Sequence, residues 1–291
     1  MGMSLVAMKQ PYLLQVMYDD EPLNPRTDYD NFGKMVCWHS RYNLGDEHSF
    51  ADPNDFLQDL VQRTVSEYAL FEFVRSGKVP TTELKFDRSR NGWEIGSYDS
   101  YFKKWYHGDF FEGSLEANKS EVKDSLIETM SNAELMEIAG QKNIILPLNL
   151  YDHSGLSMSA SSFLGRAQHA EWDSGQVGWI YATAEDIRRE YGNCSAESVE
   201  KAKTLLKSEV ETYDYYLSGQ CYGFRLYENG KETDSCWGFL GAFADVLKDI
   251  SGNLPESHRD IVEHLQEVSD TVTREKSYED FVEDLEEMEE A

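Results

Sequence analysis

The apolar positions of this chain change period several times along its length. Residues 12–17 and 35–38 are short runs with β character. After Asp52-Pro53-Asn54-Asp55, which has Pro near the first helical position and acids in the first turn, Phe56, Leu57, Leu60, Val61, Val65 and Tyr68 recur at helical spacing. That spacing predicts one amphipathic helix reaching about Val74, ended by Gly77 and Pro80. A second helix is predicted over residues 120–138 from Val122, Leu126, Ile127, Met130, Leu135 and Ile138. Residues 144–150 and 177–181 read as buried strands, 183–191 as a capped helix and 197–217 as a long helix. Residues 220–227 and 233–239, joined through Glu228-Asn229-Gly230-Lys231, form a predicted β-hairpin.

Strands flanking helices in this order predict an α+β fold, with a mixed or antiparallel sheet, flanking helices and an acidic helical C-terminal segment. Three regions are expected. Residues 1–140 form an N-terminal α+β region, and residues 141–250 form an α+β core carrying the segments YDHSG, WDSGQVG and DSCWGF. Residues 251–291 form an acidic helical tail. The first region holds a dense aromatic stretch, including Phe86, Trp93, Tyr101, Phe102, Trp105 and Tyr106, whose basic neighbours are matched by acids. That balance argues against base stacking and for core or a protein-binding face. In the tail, Ile261, Val262, Leu265, Val268 and Val272 predict a first helix. Tyr278, Phe281, Val282, Leu285 and Met288 mark a second amphipathic segment, either solvated or a docking arm for a partner.

Charge changes the picture most. The 54 Asp and Glu residues against 27 Lys and Arg give a formal charge of −27. Lysine and arginine supply nucleic-acid affinity by displacing counterions, so this field disfavours direct nucleic-acid binding and anionic membranes, and favours basic or neutral partners. Acidity alone also keeps a protein soluble. Cys37, Cys194, Cys221 and Cys236 form no CxxC pair, which fits reduced thiols, and no apolar run is long enough to span a bilayer. The expectation is a cytoplasmic protein.

Four polar segments sit at predicted strand ends: residues 38–46, 151–155, 172–178 and 234–238. If they converge on an enzyme site, Asp152, His153, Asp173, Ser174 and Cys236 are its catalytic candidates, with Ser154 a further nucleophile. His39, Asp152, His153 and Asp173 are the acceptable ligands for a metal. None has diagnostic spacing, and Asp, Ser and Gly are equally the residues of turns. No cofactor motif is present, and none is expected to bind.

Taken together, HSRYNLGDEH, YDHSG, WDSGQVGWIYA, IRREYG, EVETYDYYLSGQCYGF and DSCWGF resemble a family of poorly characterised proteins encoded by bacteriophages and conjugative elements. The likeness runs from about Cys37 to Gly241 and is densest after Leu146. It implies no catalytic role. By analogy, it implies an anti-defence protein of the host bacterial cytosol that binds and inhibits a defence nuclease or CRISPR-type complex, partly as an acidic DNA mimic. The candidate partner-binding residues are then Asp19, Asp20, Glu21, Glu283, Asp284, Glu286 and Glu287. The alternatives are a small-molecule or metal-dependent hydrolase at the YDHSG and WDSGQVG loops, and a homo-oligomeric structural or assembly protein.

Overall fold

The computed structural model describes residues 4–77 and 79–267, together with Glu279, Val282, Glu283, Leu285 and Glu286. The fold is α+β. In chain order the first elements are β1 (Ser4–Lys9), β2 (Tyr12–Tyr18), β3 (Lys34–Cys37), α1 (Pro53–Thr64) and α2 (Glu67–Arg75). A meander follows, β4 (Thr82–Asp87), β5 (Gly92–Asp99) and β6 (Lys104–Glu112), then α3 (Lys119–Thr129) and α4 (Asn132–Gly140). The middle of the chain holds β7 (Asn143–Asp152), β8 (Leu156–Ser159), α5 (Ala170–Asp173), β9 (Ser174–Thr183), α6 (Ala184–Tyr191) and α7 (Ala196–Leu217). Last come β10 (Cys221–Glu228), β11 (Lys231–Leu240), α8 (Phe243–Asn253), a 3₁₀ segment (Glu256–His264) and β12 (Gln266–Glu267).

The chain forms two compact units, one from residues 1–31, 149–175 and 208–291, the other from residues 32–148 and 176–207. The region 1–140 read from the sequence thus contributes to both. Among the described residues, no helix is long and apolar enough to cross a membrane.

In the first unit five strands form one sheet in the order β11-β10-β2-β1-β12, with antiparallel pairings. Asn229 and Gly230, both at positive φ, turn the β10–β11 hairpin. Alternation gives the sheet two apolar faces. Ala7, Leu14, Val16 and Phe224 pack under Val246 and Ile250 of α8 and Ile261 of the 3₁₀ segment. The opposite face carries Val6 and Leu13, and there Val282 and Leu285 of the C-terminal segment pack. Val282 and Leu285 of the tail therefore have an intramolecular seat. The helix expected around Ile261 is instead a 3₁₀ segment followed by a two-residue strand paired to β1 at Leu5 and Val6. The expected positions Val268, Val272, Tyr278, Phe281 and Met288 lie outside the described residues.

The second unit is organised around α1 to α4, which bury Phe56, Leu60, Leu70, Leu126, Leu135 and Ile138 in one core. Two helices predicted as continuous are each broken. At the end of α1 the Thr64 hydroxyl donates back to Leu60 O, Val65 is extended, and the Ser66 side chain accepts from Ala69 N to start α2. Between α3 and α4, Met130 is extended and Ser131 opens a capping box with Glu134. In both places an apolar period continues across the break, because both helices of the pair face the same core.

The meander β4-β5-β6 divides the aromatic stretch. Trp93 and Phe111 pack against the helical core, whereas Phe86, Tyr106 and the β5–β6 turn residues Tyr101 and Phe102 are exposed. Also in this unit, β3 pairs with β9 through Lys34↔Tyr181 to Cys37↔Gly178.

Candidate functional site

Within the first unit, His153 of YDHSG and Asp173 of WDSGQVG are in contact. His153 follows the end of β7 in its hairpin with β8, where Asp152 pairs with Leu156. Asp173 ends α5, a single turn that starts after His169 in the left-handed conformation (φ 55°). His153 Nδ1 lies 2.8 Å from Asp173 Oδ2, with the two side chains 43% and 29% exposed. Tyr151 stacks between Phe163 and His153, and its hydroxyl donates to Gln168 O. The His169 ring is 5.9 Å from that of His153.

A carboxylate that accepts from Nδ1–H fixes the tautomer in which Nε2 can take a proton, so the pair has the arrangement of an oriented general base. It is equally a polar clasp between a hairpin and a short helix. As a half-exposed polar contact it contributes little to stability. His153→Ala is expected to cost about 0.5 kcal/mol in urea unfolding, and a loss above about 2 kcal/mol would show that the clasp holds the loops together.

The other predicted residues have different surroundings. Ser174 Oγ donates to Ala170 O at 2.6 Å, the last turn of α5, so its hydroxyl is engaged. Cys236 lies opposite Phe224 on the edge strand β11 and is exposed, with its Sγ contacting Trp237 O. His39 belongs to the other unit, where its ring stacks on Tyr42 and Nδ1 accepts from Arg41 N. Among the described residues, no group of three or more His, Cys, Asp or Glu gathers in a way that could hold a metal ion.

The acidic candidates differ in how far they are already used. Asp19 Oδ1 accepts from Glu21 N, and its other oxygen faces the Cys221 thiol, which burial, and then the Asp19 charge, push up to about 11. Asp20 and Glu21 point to solvent. The loop behind them is anchored by Arg26, whose buried guanidinium pairs with Glu209 at 3.2 Å and with Asn31. Glu283 and Glu286 are exposed on the segment seated by Val282 and Leu285. Asp284 and Glu287 lie outside the described residues.

Three of the four polar segments also carry tight packing. In 38–46, the Asp46 backbone N–H donates to Met35 O and its carboxylate accepts from Met35 N, folding the loop back along β3. Gly178 of WDSGQVG faces Cys37 so closely that a Cβ would stand 1.9 Å from Val36 O. In DSCWGF, the Trp237 indole covers Gly223 of β10, where a Cβ would stand 2.1 Å from the ring. Small residues beside aromatics are what such approaches require, and local composition does not separate that requirement from catalysis.

Comparison with family models, with curated proteins and with solved structures finds no match to this chain.

Proposed function

We propose that this protein is an inhibitor that binds a basic, nucleic-acid-handling surface on another protein. The carrying observation is the charge of −27 on a folded α+β chain. Its geometric support is the C-terminal segment, where Val282 and Leu285 are seated on the sheet and Glu283 and Glu286 point outward. Acids fixed on a seated segment lose less conformational freedom on binding than acids on a loose tail. Opposite fields steer encounter, and lysines and arginines neutralised by carboxylates no longer hold phosphate. The resemblance to phage and mobile-element proteins makes the partner a host defence nuclease or CRISPR-type complex, met in the bacterial cytosol.

The test has two steps. Proteins captured from defence-bearing hosts at low salt and released by moderate salt are purified, and their DNA cleavage is measured with and without this protein. Stoichiometric inhibition is expected, and Glu283→Lys with Glu286→Lys is expected to slow association about tenfold at low salt and flatten its salt dependence. Cleavage unaffected by the wild-type protein, or inhibition indifferent to the charge reversals, would end the electrostatic reading.

The His153–Asp173 contact favours a second reading, a hydrolase using His153 as its base. On that reading His153→Ala abolishes turnover of a screened ester or phosphoester while the fold is kept.

A further inference from the structure

The second unit contains a cleft of about 500 Å³ with a charge opposite to that of the whole chain. Lys34, Arg63, Lys142, Arg188 and Arg189 line it, against the two carboxylates Glu185 and Asp186. These five cations come from four places in the sequence: the start of β3, the last turn of α1, the α4–β7 turn and α6. In a chain with twice as many acids as bases, their convergence on one concavity is a local reversal of the field.

Two of the five are committed. Arg63 pairs with Asp59 at 2.6 Å and bonds the Tyr181 hydroxyl, and Arg189 pairs with Asp186 at 2.6 Å. Asp186 is itself occupied by the Thr183 cap, accepting from its backbone N–H and hydroxyl. Lys34, Lys142 and Arg188 are exposed at the cleft, and among the described residues none of the three has a carboxylate within ion-pair distance. At the floor, Asn143 donates to Thr64 Oγ1 and Ala139 O, while its Oδ1 is buried with no hydrogen-bond partner. Tyr181 is the one aromatic lining residue, and the walls are mostly polar.

We propose that this cleft binds a small phosphorylated molecule, with Lys34, Lys142 and Arg188 holding its phosphate groups. Three uncommitted cations suit a multiply charged anion better than a single carboxylate, and arginine adds a fork matched to phosphate oxygens. The scarcity of apolar wall argues for a compact ligand, such as a diphosphate or sugar phosphate, over one with a large ring system. The negative charge of the rest of the chain does not forbid this. Beyond about 8 Å exposed charges are screened at physiological salt, so an anion inside the cleft responds chiefly to its lining. This inference stands apart from the inhibitor reading and uses none of its residues.

The experiment is calorimetric titration of the full chain with inorganic pyrophosphate and, separately, with glucose 6-phosphate. Saturable one-to-one binding of at least one of them is expected, weakening as NaCl rises and falling at least tenfold in Lys142→Gln/Arg188→Gln. Both side chains are exposed and free of ion pairs, so the variant should keep the wild-type melting temperature and circular dichroism. Lys248→Gln, on α8 of the first unit, should bind as wild type. No saturable heat with either ligand at millimolar concentration overturns the proposal, as does undiminished binding in the double variant.

Discussion

Glu134→Gln is expected to lower the unfolding free energy by about 3 kcal/mol at pH 7, and by progressively less as the pH is taken down through the acid range. Glu134 is 2% exposed, at the start of α4. Its Oε1 accepts from Thr81 N at 2.7 Å, and its Oε2 accepts from Ser131 N and Oγ, both at 2.9 Å, and from Thr82 Oγ1 at 3.1 Å. One carboxylate thus closes the capping box of α4 and ties it to the strand β4. Burial pushes its pKa up, but the hydrogen bonds from Ser131 and Thr81 outweigh burial and hold it below the ordinary glutamate value. A folded-state pKa below the unfolded one adds stability that is complete above the unfolded pKa and disappears as pH falls through the folded pKa. An amide cannot replace it, because whichever way it is turned its NH₂ faces at least one of these donors. Urea unfolding of wild type and variant at pH 7, 5 and 3.5 checks this. A difference independent of pH would mean that packing, and not the charge, carries the effect.

The same residue shows how far the fold was legible in the sequence. Ser131 and Glu134 spell the S-x-x-E signature of a helix start, yet Val122, Leu126, Met130, Leu135 and Ile138 sustain one apolar period across it. Periodicity reports which core a residue faces and is blind to a change of helix when both helices serve that core. The α+β class, the β10–β11 hairpin and the cap at Thr183 were readable because each rests on short-range chemistry: alternation, Asn-Gly in a turn, and a threonine three residues before an aspartate. The meander was hidden because much of β6 is exposed, so its aromatics do not alternate between core and solvent. β12 has two residues and exists only through its pairing with β1.

Site residues were legible in proportion to their nearness in sequence. His153 and Asp173, twenty residues apart in two polar loops, are in contact, as a meeting of those loops requires. The cationic cleft left no trace, because Lys34, Arg63, Lys142 and Arg188 are far apart along the chain and no local motif links them. Tertiary convergence alone gives them a common role.

The segment WDSGQVG allows the structural role of such a motif to be tested, since one of its two glycines should tolerate an added methyl group and the other should not. Gly178→Ala is expected to destabilise the second unit by about 3 kcal/mol or more, because the Cβ would lie 1.9 Å from Val36 O and 2.9 Å from Cys37 Cα. Both are backbone atoms of β3, so no side chain can rotate to make room. Relief requires β3 and β9 to part at Cys37↔Gly178, straining the adjoining Trp38 N to Val177 O hydrogen bond of 2.8 Å. A Cβ on Gly175, three residues earlier, meets nothing within 4 Å, and Gly175→Ala should stay within about 0.5 kcal/mol of wild type. Thermal and urea melts of the two variants make the comparison. A stable Gly178→Ala protein would mean that β3 is not held against β9 as described. A large loss at Gly175 would point to a contact of that loop beyond the described residues. With the expected pair of results, the second glycine of this motif is there so that two strands can touch.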